Sequence, residues 1–353
     1  MTPKKVRILS IDGGGIRGII PATILEYVED YLEQKVPGTT LAHHFDFIAG
    51  TSTGGILTSI YLTPQKKDPT KAKFKAAEAL DFYIYEGYKI FNASKLSGLQ
   101  RLWGLRRGTT YSAANLEQLF LEKFGDLKIS ALLKPCLMTT YNMNTTSAFF
   151  FTSNEDKNKR EFYVRDVLRS TAAAPTYFPP AVIKNLAPNA SMNDEVLEMI
   201  NLDGGVFANN PTMCAYAEAR NTNFVDRNNK EPAASDMYIL SLGTGGGGFD
   251  LKKKESSNRW NLLKWAKAVP EIMMDGSVDA VAFQMNEINS TRQEGEQGDY
   301  MRVDFPKHIE QKYAADMADA SLENIKDLMD AGKLTLDHAK ANGLDAFING
   351  LLD

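Results

Sequence analysis

Cysteine, histidine and tryptophan are all scarce in this 353-residue chain, and each scarcity excludes something. The two cysteines, Cys136 and Cys214, cannot build a disulfide framework or a cysteine-based zinc site. Both lie in apolar or helical-looking stretches where a free cysteine packs like a small hydrophobe, a usage that fits a reducing compartment. The four histidines, His43, His44, His308 and His338, stand in no metal-ligand or catalytic motif, and no metal or cofactor is expected. No apolar run reaches the ~18 residues of a membrane span. The opening MTPKKVRILSIDGGG carries two lysines but no apolar region of signal-peptide length. The expected location is cytoplasmic, with export by a dedicated secretion system left open. A net charge of −4 gives no general attraction for nucleic acid, so binding it is not expected as a main role. Internal repeats and Pro/Gly-rich linkers are absent too, which favours a single domain over 1–353.

What charge there is lies unevenly. Residues 64–107 carry ten Lys/Arg against four Asp/Glu, and residues 251–270 carry six against one, leaving the rest of the chain strongly acidic. Hydrophobic residues make up 43% and charged residues 24%, ordinary globular values that set aside disorder.

The first 62 residues read as strand, Gly turn, helix, strand, Gly turn, helix. KVRILSI (5–11) and FDFIA (45–49) are the strands; Leu25, Val28 and Leu32 mark the apolar face of the first helix. That alternation predicts a helix-covered parallel sheet. Further along, the pattern predicts a helix over 70–91, strands within 136–151, a helix over 164–173, and strand–turn units at 199–205 and 237–243. The last third reads as mostly helical, with Leu322, Ile325 and Met329 on one stripe.

Both glycine turns sit where chemistry can use them. Gly13-Gly14-Gly15-Ile16-Arg17-Gly18 fits G-x-G-x-x-G between a strand and a helix. The acidic residue a dinucleotide site needs at the end of the next strand is absent, and so is the Gly-Lys-Ser/Thr of a P-loop. What remains is a run of backbone N–H groups at a helix N-terminus, able to stabilise an anion. Gly50-Thr51-Ser52-Thr53-Gly54 is a G-x-S-x-G in the strand–turn–helix context of a nucleophile elbow. A serine needs a base, and no histidine offers itself. Asp203 ends the strand MINLD before two glycines, where a carboxylate can face the carboxyl edge of the sheet. A turn aspartate with no chemistry explains that position equally well.

DGGGIRG (Asp12–Gly18), GTSTGG (Gly50–Gly55), AAAPTYFPP (Ala172–Pro180), Asp203-Gly204-Gly205 and SLGTG (Ser241–Gly245) occur in the order seen in patatin-like phospholipases. Over about residues 5–245 the chain resembles that family; the helical part, about 255–353, matches less clearly. The resemblance implies a three-layer α/β/α fold with a mainly parallel central sheet. It implies a lipid acyl hydrolase with a Ser–Asp dyad: Ser52 as nucleophile, Asp203 as general base. The oxyanion hole falls on Gly13, Gly14 and Gly15, chiefly the N–H groups of Gly14 and Gly15, with Gly13 shaping the loop. Asp-Gly-Gly replaces the Asp-Gly-Ala common in the family, an exchange of one small residue for another. Arg17 has two readings, a contact to substrate phosphate or a salt bridge on its helix.

The expected substrates are phospholipid or galactolipid esters. Alternatives are an acyltransferase using the same dyad, a conventional Ser–His–Asp hydrolase drawing on His308 or His338, a storage or defence protein, and a membrane-damaging effector switched on by a partner. All three tryptophans lie in or beside the basic segments, and Leu262, Trp265, Ala266 and Val269 form a helical stripe. Basic-plus-aromatic segments suit an anionic bilayer, so transient membrane contact is expected through 83–107 and 259–269.

Overall fold

The computed structural model describes residues 4–91, 111–154, 156–190, 197–246, 262–290 and 299–352. In the first strand, β1 (Val6–Ile11), consecutive side chains enter two different cores: Val6 and Ile8 join one, Leu9 and Ile11 the other. The same alternation recurs in β2 (Phe47–Gly50), where Phe47 and Ala49 face away from Ile48. A strand buried on both faces lies between two helical layers.

The other strands of the sheet are β3 (Cys136–Asn142), β4 (Ser147–Thr152), β5 (Ala181–Lys184), β6 (Glu198–Asp203), β9 (Met237–Leu242) and β10 (Tyr300–Val303). A two-stranded ribbon, β7 (Asn223–Phe224) with β8 (Asn229–Lys230), stands apart. The sheet order is β10-β9-β1-β2-β3-β6-β5, with β4 pairing β3. The β10/β9, β9/β1, β1/β2 and β2/β3 pairs are parallel; β3/β4, β3/β6 and β5/β6 are antiparallel.

The helices of eight or more residues are α1 (Ile19–Lys35), α2 (Thr53–Leu62), α3 (Ala114–Phe124), α4 (Val164–Thr171), α5 (Thr212–Arg220), α6 (Leu262–Ser290) and α7 (Leu322–Ala341). Helices α1, α2 and α7 cover the larger core, while α5 and α6 cover the smaller one with Ala215, Ala219 and Met285. Leu25, Val28 and Leu32 are fully buried, as their spacing predicts. Among the described residues no helix is long and apolar enough to cross a membrane.

Three expectations need correction. The helix expected over 70–91 starts at Ala76, because 63–73 folds back on itself through the Pro64–Ala72 bridge and the bond from Lys73 N–H to the Thr63 carbonyl. It also contains a π-turn, Phe82–Glu86. The helix expected over 164–173 ends at Thr171. Leu322 is 76% exposed, since it is the first residue of α7, ahead of the stretch that packs; Ile325 is buried and Met329 packs against the core, as expected, with Leu328 beside them. The last third is mostly helical, as expected, with β10 added at the edge of the sheet.

Candidate active site

Strands β1 and β2 run parallel and in register, with Ile11 opposite Gly50, so the turns that follow them emerge side by side. Ser52 tops the second turn at φ 52°, ψ −116°, strained for a residue with a side chain and characteristic of a nucleophile elbow. The flanking glycines are steric necessities. A Cβ on Gly50 would collide with the Gly54 backbone, and one on Gly54 with the Ile11 carbonyl. The Ser52 N–H is held by Thr171 Oγ1 at 2.8 Å, tying the elbow to the end of α4.

Asp203 reaches the same edge by a route the sequence does not announce. Its strand is antiparallel to β3, not parallel as the strand–turn pattern implies. β3 runs on past the end of β2, and Gly50 lies opposite Met138 while Asp203 lies opposite Thr140. β6 therefore comes back along the projecting end of β3 and stops at the level of the serine turn. Asp203 is buried; its carboxylate accepts a hydrogen bond from the Gly205 N–H at 2.7 Å and lies beside the Ser52 hydroxyl. Burial pushes its pKa up to about 7, against the lowering effect of the Ser52 hydroxyl and the Gly205 N–H.

In the first turn the Gly13 N–H is spent on the Asn209 carbonyl at 3.0 Å. The Gly13 carbonyl accepts from Thr244 Oγ1 at 2.7 Å and from Asn209 Nδ2 at 3.3 Å. Among the described residues nothing accepts from the N–H groups of Gly14 or Gly15. Gly15 has φ +58°, and a Cβ there would strike the Met317 carbonyl. The two turns are cross-linked: Thr53 Oγ1 donates to the Gly15 carbonyl at 2.7 Å and lies 2.7 Å from the Tyr83 hydroxyl, which donates to the Thr53 carbonyl at 3.0 Å.

Ser52 and Gly15 stand at the wall of a pocket that opens in part to solvent and is otherwise lined by apolar groups such as Ile56, Phe82, Ile90, Leu116 and Phe178. None of the four histidines shares a hydrogen bond with Ser52 or Asp203. His44 bonds Thr39 Oγ1 at 2.8 Å with its pKa lowered to about 4 by burial, and the His308 and His338 rings stand against each other. Among the described residues no cluster of His, Cys, Asp or Glu is arranged to hold a metal.

A serine on a strained elbow, a buried carboxylate beside it and a Gly-rich turn next to them point to one family, and comparison with known proteins decides it. Residues 9–216 match the patatin-like phospholipase family. The chain is 30% identical to patatin-like protein 2 of Oryza sativa subsp. indica, covering 95% of this chain and 84% of that one. It is 35% identical to patatin-like protein 2 of Arabidopsis thaliana over 80% of this chain and 72% of that one. With patatin-2-Kuras 3 of Solanum tuberosum the identity is 31%, covering 94% and 83%. The chain belongs to the patatin-like phospholipase family.

Membership in the patatin-like phospholipases implies a lipolytic hydrolase. In this patatin-like chain Arg17 is buried, but it pairs with no acid of its own helix. Its Nε points at the Gly14 carbonyl from 3.4 Å and its Nη1 has no hydrogen-bond partner. Glu271 and Asp275 of α6 both feel its charge: burial raises their pKa values while Arg17 opposes the rise.

Several residues around the site escape a motif-based reading. Asn209 and Thr171 belong to no motif that singles them out, and Thr244 sits in SLGTG without a role visible from sequence. Arg302 lies in β10, beyond the family-matched segment. It grips Asp12, Ser241 and Asp304, and Asp304 in turn accepts from the Gly245 N–H at 2.9 Å. A lone buried arginine in a short C-terminal strand was the only signal available.

Proposed function

We propose that the protein hydrolyses carboxylic esters of phospholipids or galactolipids through a Ser52–Asp203 dyad and an acyl-enzyme. The observation that carries this reading is the Ser52 hydroxyl beside the buried Asp203 carboxylate at the wall of an apolar cavity.

The reaction follows from the groups present. Ser52 Oγ attacks the ester carbonyl while Asp203 takes its proton. Negative charge grows on the carbonyl oxygen, and the N–H groups of Gly14 and Gly15 stabilise it; Gly13 keeps the loop in shape. One such donor is typically worth about 10²–10³ in rate. Collapse breaks the ester C–O bond, and the departing lysolipid alkoxide takes the proton from Asp203. A water then attacks the acyl-enzyme, gives its proton to Asp203, and the fatty acid leaves as Ser52 recovers that proton. The cavity accepts the acyl chain, since nearly everything facing it is hydrocarbon. The unpartnered Nη1 of Arg17 supports the reading in which this residue contacts a substrate phosphate.

The test is release of fatty acid and lysolipid from mixed phospholipid and galactolipid vesicles in EDTA, followed by mass spectrometry. Folded Ser52→Ala and Asp203→Asn should each lose release. Equal release from wild type and Ser52→Ala overturns the mechanism. Arg17→Gln should lose rate on phospholipid and keep it on galactolipid.

A further inference from the structure

We propose that Phe82 is the stop that sets how long an acyl chain the protein accepts, and that a second pocket behind it continues the acyl site. The proposal rests on the lipid-hydrolase reading and names the side chain that selects among acyl groups. Among the described residues, Phe82 alone lines both the pocket at Ser52 and a second pocket walled by Ile60, Phe74, Tyr85 and Phe124. Phe82 is buried, so its ring is committed to that partition and not to solvent.

The two pockets follow one another along the same helices. On α2, Thr53 and Ile56 line the first and Ile60 the second, at the i, i+3, i+7 spacing of one helix face. At 1.5 Å per residue, Ile56 lies about 6 Å along the axis from Ser52 and Ile60 about 12 Å. On α3, Leu116 lines the first pocket, while Lys123 and Phe124, two turns on and on the same side, line the second. The second pocket therefore lies beyond the first as seen from the nucleophile. The helical stretch from Ala76 to Phe91 supplies the partition: Asp81, Phe82 and Tyr85 form its outer row, and Tyr83, Gly87 and Ile90 its inner one. Phe82 belongs to the outer row by spacing, yet its ring reaches the inner pocket too. That ring packs edge-on against Tyr83 of the inner row, with centroids 5.6 Å apart, and Lys123 Nζ of the outer pocket lies 5.9 Å from its centroid. Tyr83 in turn is hydrogen-bonded to Thr53 beside Ser52, which fixes the ring it supports.

The second pocket has a hydrocarbon floor and a charged rim. Ile60 and Phe124 are buried, while Glu78, Asp81, Glu86 and Lys123 edge the opening. Charged groups at an open rim keep their water, and the floor offers apolar contact to the last methylenes of a chain. Three carboxylates against one lysine make the pocket a poor place for an anion, so the occupant it suits is the methyl end of an acyl chain whose carbonyl stays at Ser52. With Phe82 in place that end meets the ring, and the floor beyond goes unused.

The experiment reads kcat/KM on p-nitrophenyl esters from butyryl to palmitoyl. It compares wild type, Phe82→Ala, the milder Phe82→Leu, and Phe82→Ala combined with Ile60→Phe, which refills the second pocket from α2. Circular dichroism and thermal melting check folding, and each profile is scaled to its own butyryl value so that shape and not height is compared. Wild type should climb with chain length and then level. The Phe82 variants should go on climbing past that length, at about fourfold for each further methylene buried, so that two or three suffice for a gain of roughly tenfold or more. Adding Ile60→Phe should restore the wild-type limit. A wild-type profile from both folded Phe82 variants overturns the proposal. So does a gain that Ile60→Phe leaves untouched, which would send the chain out by another route. Calorimetry with free fatty acids of the same lengths, on Ser52→Ala and on Ser52→Ala/Phe82→Ala, reads the stop without turnover, and the same limit in both proteins overturns it. A longer limit in the second protein, with no hydrolysis of any ester by wild type, keeps the stop and strikes the hydrolase reading instead.

Discussion

Arg302 holds Asp12 by two parallel hydrogen bonds, Nη1 to Oδ1 at 2.9 Å and Nη2 to Oδ2 at 2.6 Å. Asp12 is the residue from which the Gly13–Gly15 turn departs, so a strand from the far end of the chain fixes the base of the turn that carries the free N–H groups. Burial pushes the Asp12 pKa up to about 6 even with the arginine beside it, a measure of how little water reaches the pair.

Removing one partner of such a pair strands the other. Arg302→Gln should cost about 3–5 kcal/mol in urea unfolding, and adding Asp12→Asn should recover more than half. In the folded fraction kcat should fall about 10–100-fold with KM little changed, because the donors aimed at the oxyanion shift rather than the acyl cavity. Additive unfolding energies for the two changes would show the bridge to be idle.

The pKa of Asp203 sets two pH dependences of opposite benefit. As a base it must be ionised, so kcat/KM should climb about tenfold per pH unit up to pH 7 and then level. Stability runs the other way. The folded pKa lies above that of the unfolded chain, so folding favours the protonated carboxyl, and stability drains as pH rises from about 4 to 7. Asp203→Asn lacks this burden. It should be inactive yet more stable than wild type above pH 7, by on the order of 2–4 kcal/mol, with the gap closing toward pH 4. Thermal melts across pH 4–9 read both limits, and a gap that does not vary with pH contradicts the assignment.

The two glycines after Asp203 should differ sharply. A Cβ on Gly204 would press into the Thr139 side chain and, at 2.6 Å, its backbone carbonyl carbon. At Gly205 the nearest atoms are 3.1–3.5 Å away, so alanine needs only a few tenths of an ångström. Gly205→Ala should keep activity within about threefold, and Gly204→Ala should lose about 1–3 kcal/mol by overpacking. Melting temperatures and turnover of a soluble ester check both.

How much of this could be read in advance depended on whether a signal was local. β1, β2 and their turns are contiguous strand–turn–helix units, so the placement of Ser52, Gly14 and Gly15 on two neighbouring turns at one sheet edge was legible. Asp203 was legible as a strand-terminal aspartate, but not the direction of its strand. Direction depends on β3 outrunning β2, a pairing between segments some sixty residues apart (Tyr141 with Leu202). Arg302 was invisible for the same reason: its value lies in Asp12, 290 positions away. Of the segments expected to touch a membrane, 92–107 and 259–261 lie outside the described residues, as does the Trp265 side chain. Val269, Ile272, Met273 and Phe283 of α6 are exposed yet follow the same period as a buried face, so periodicity shows that a face is apolar and only the packed fold shows which way it looks.

The acyl cavity offers the last test. Ser52 stands at its wall, and Leu116 of α3, Ile90 and Phe82 enclose it with Ile56 of α2. Leu116 is 3% exposed, so its side chain is committed to that lining and not to solvent. Enlarging it to tryptophan shortens the space available to the acyl chain without touching Ser52, Asp203 or the glycine turn. With p-nitrophenyl esters of increasing length, Leu116→Trp should keep wild-type turnover on short chains and lose it progressively on long ones. Each methylene denied burial forfeits about 0.8 kcal/mol, so four excluded methylenes should lower kcat/KM by about two orders of magnitude. A uniform loss at every chain length would mean that the substitution disturbs the elbow, and an unchanged profile would mean that the chain binds elsewhere.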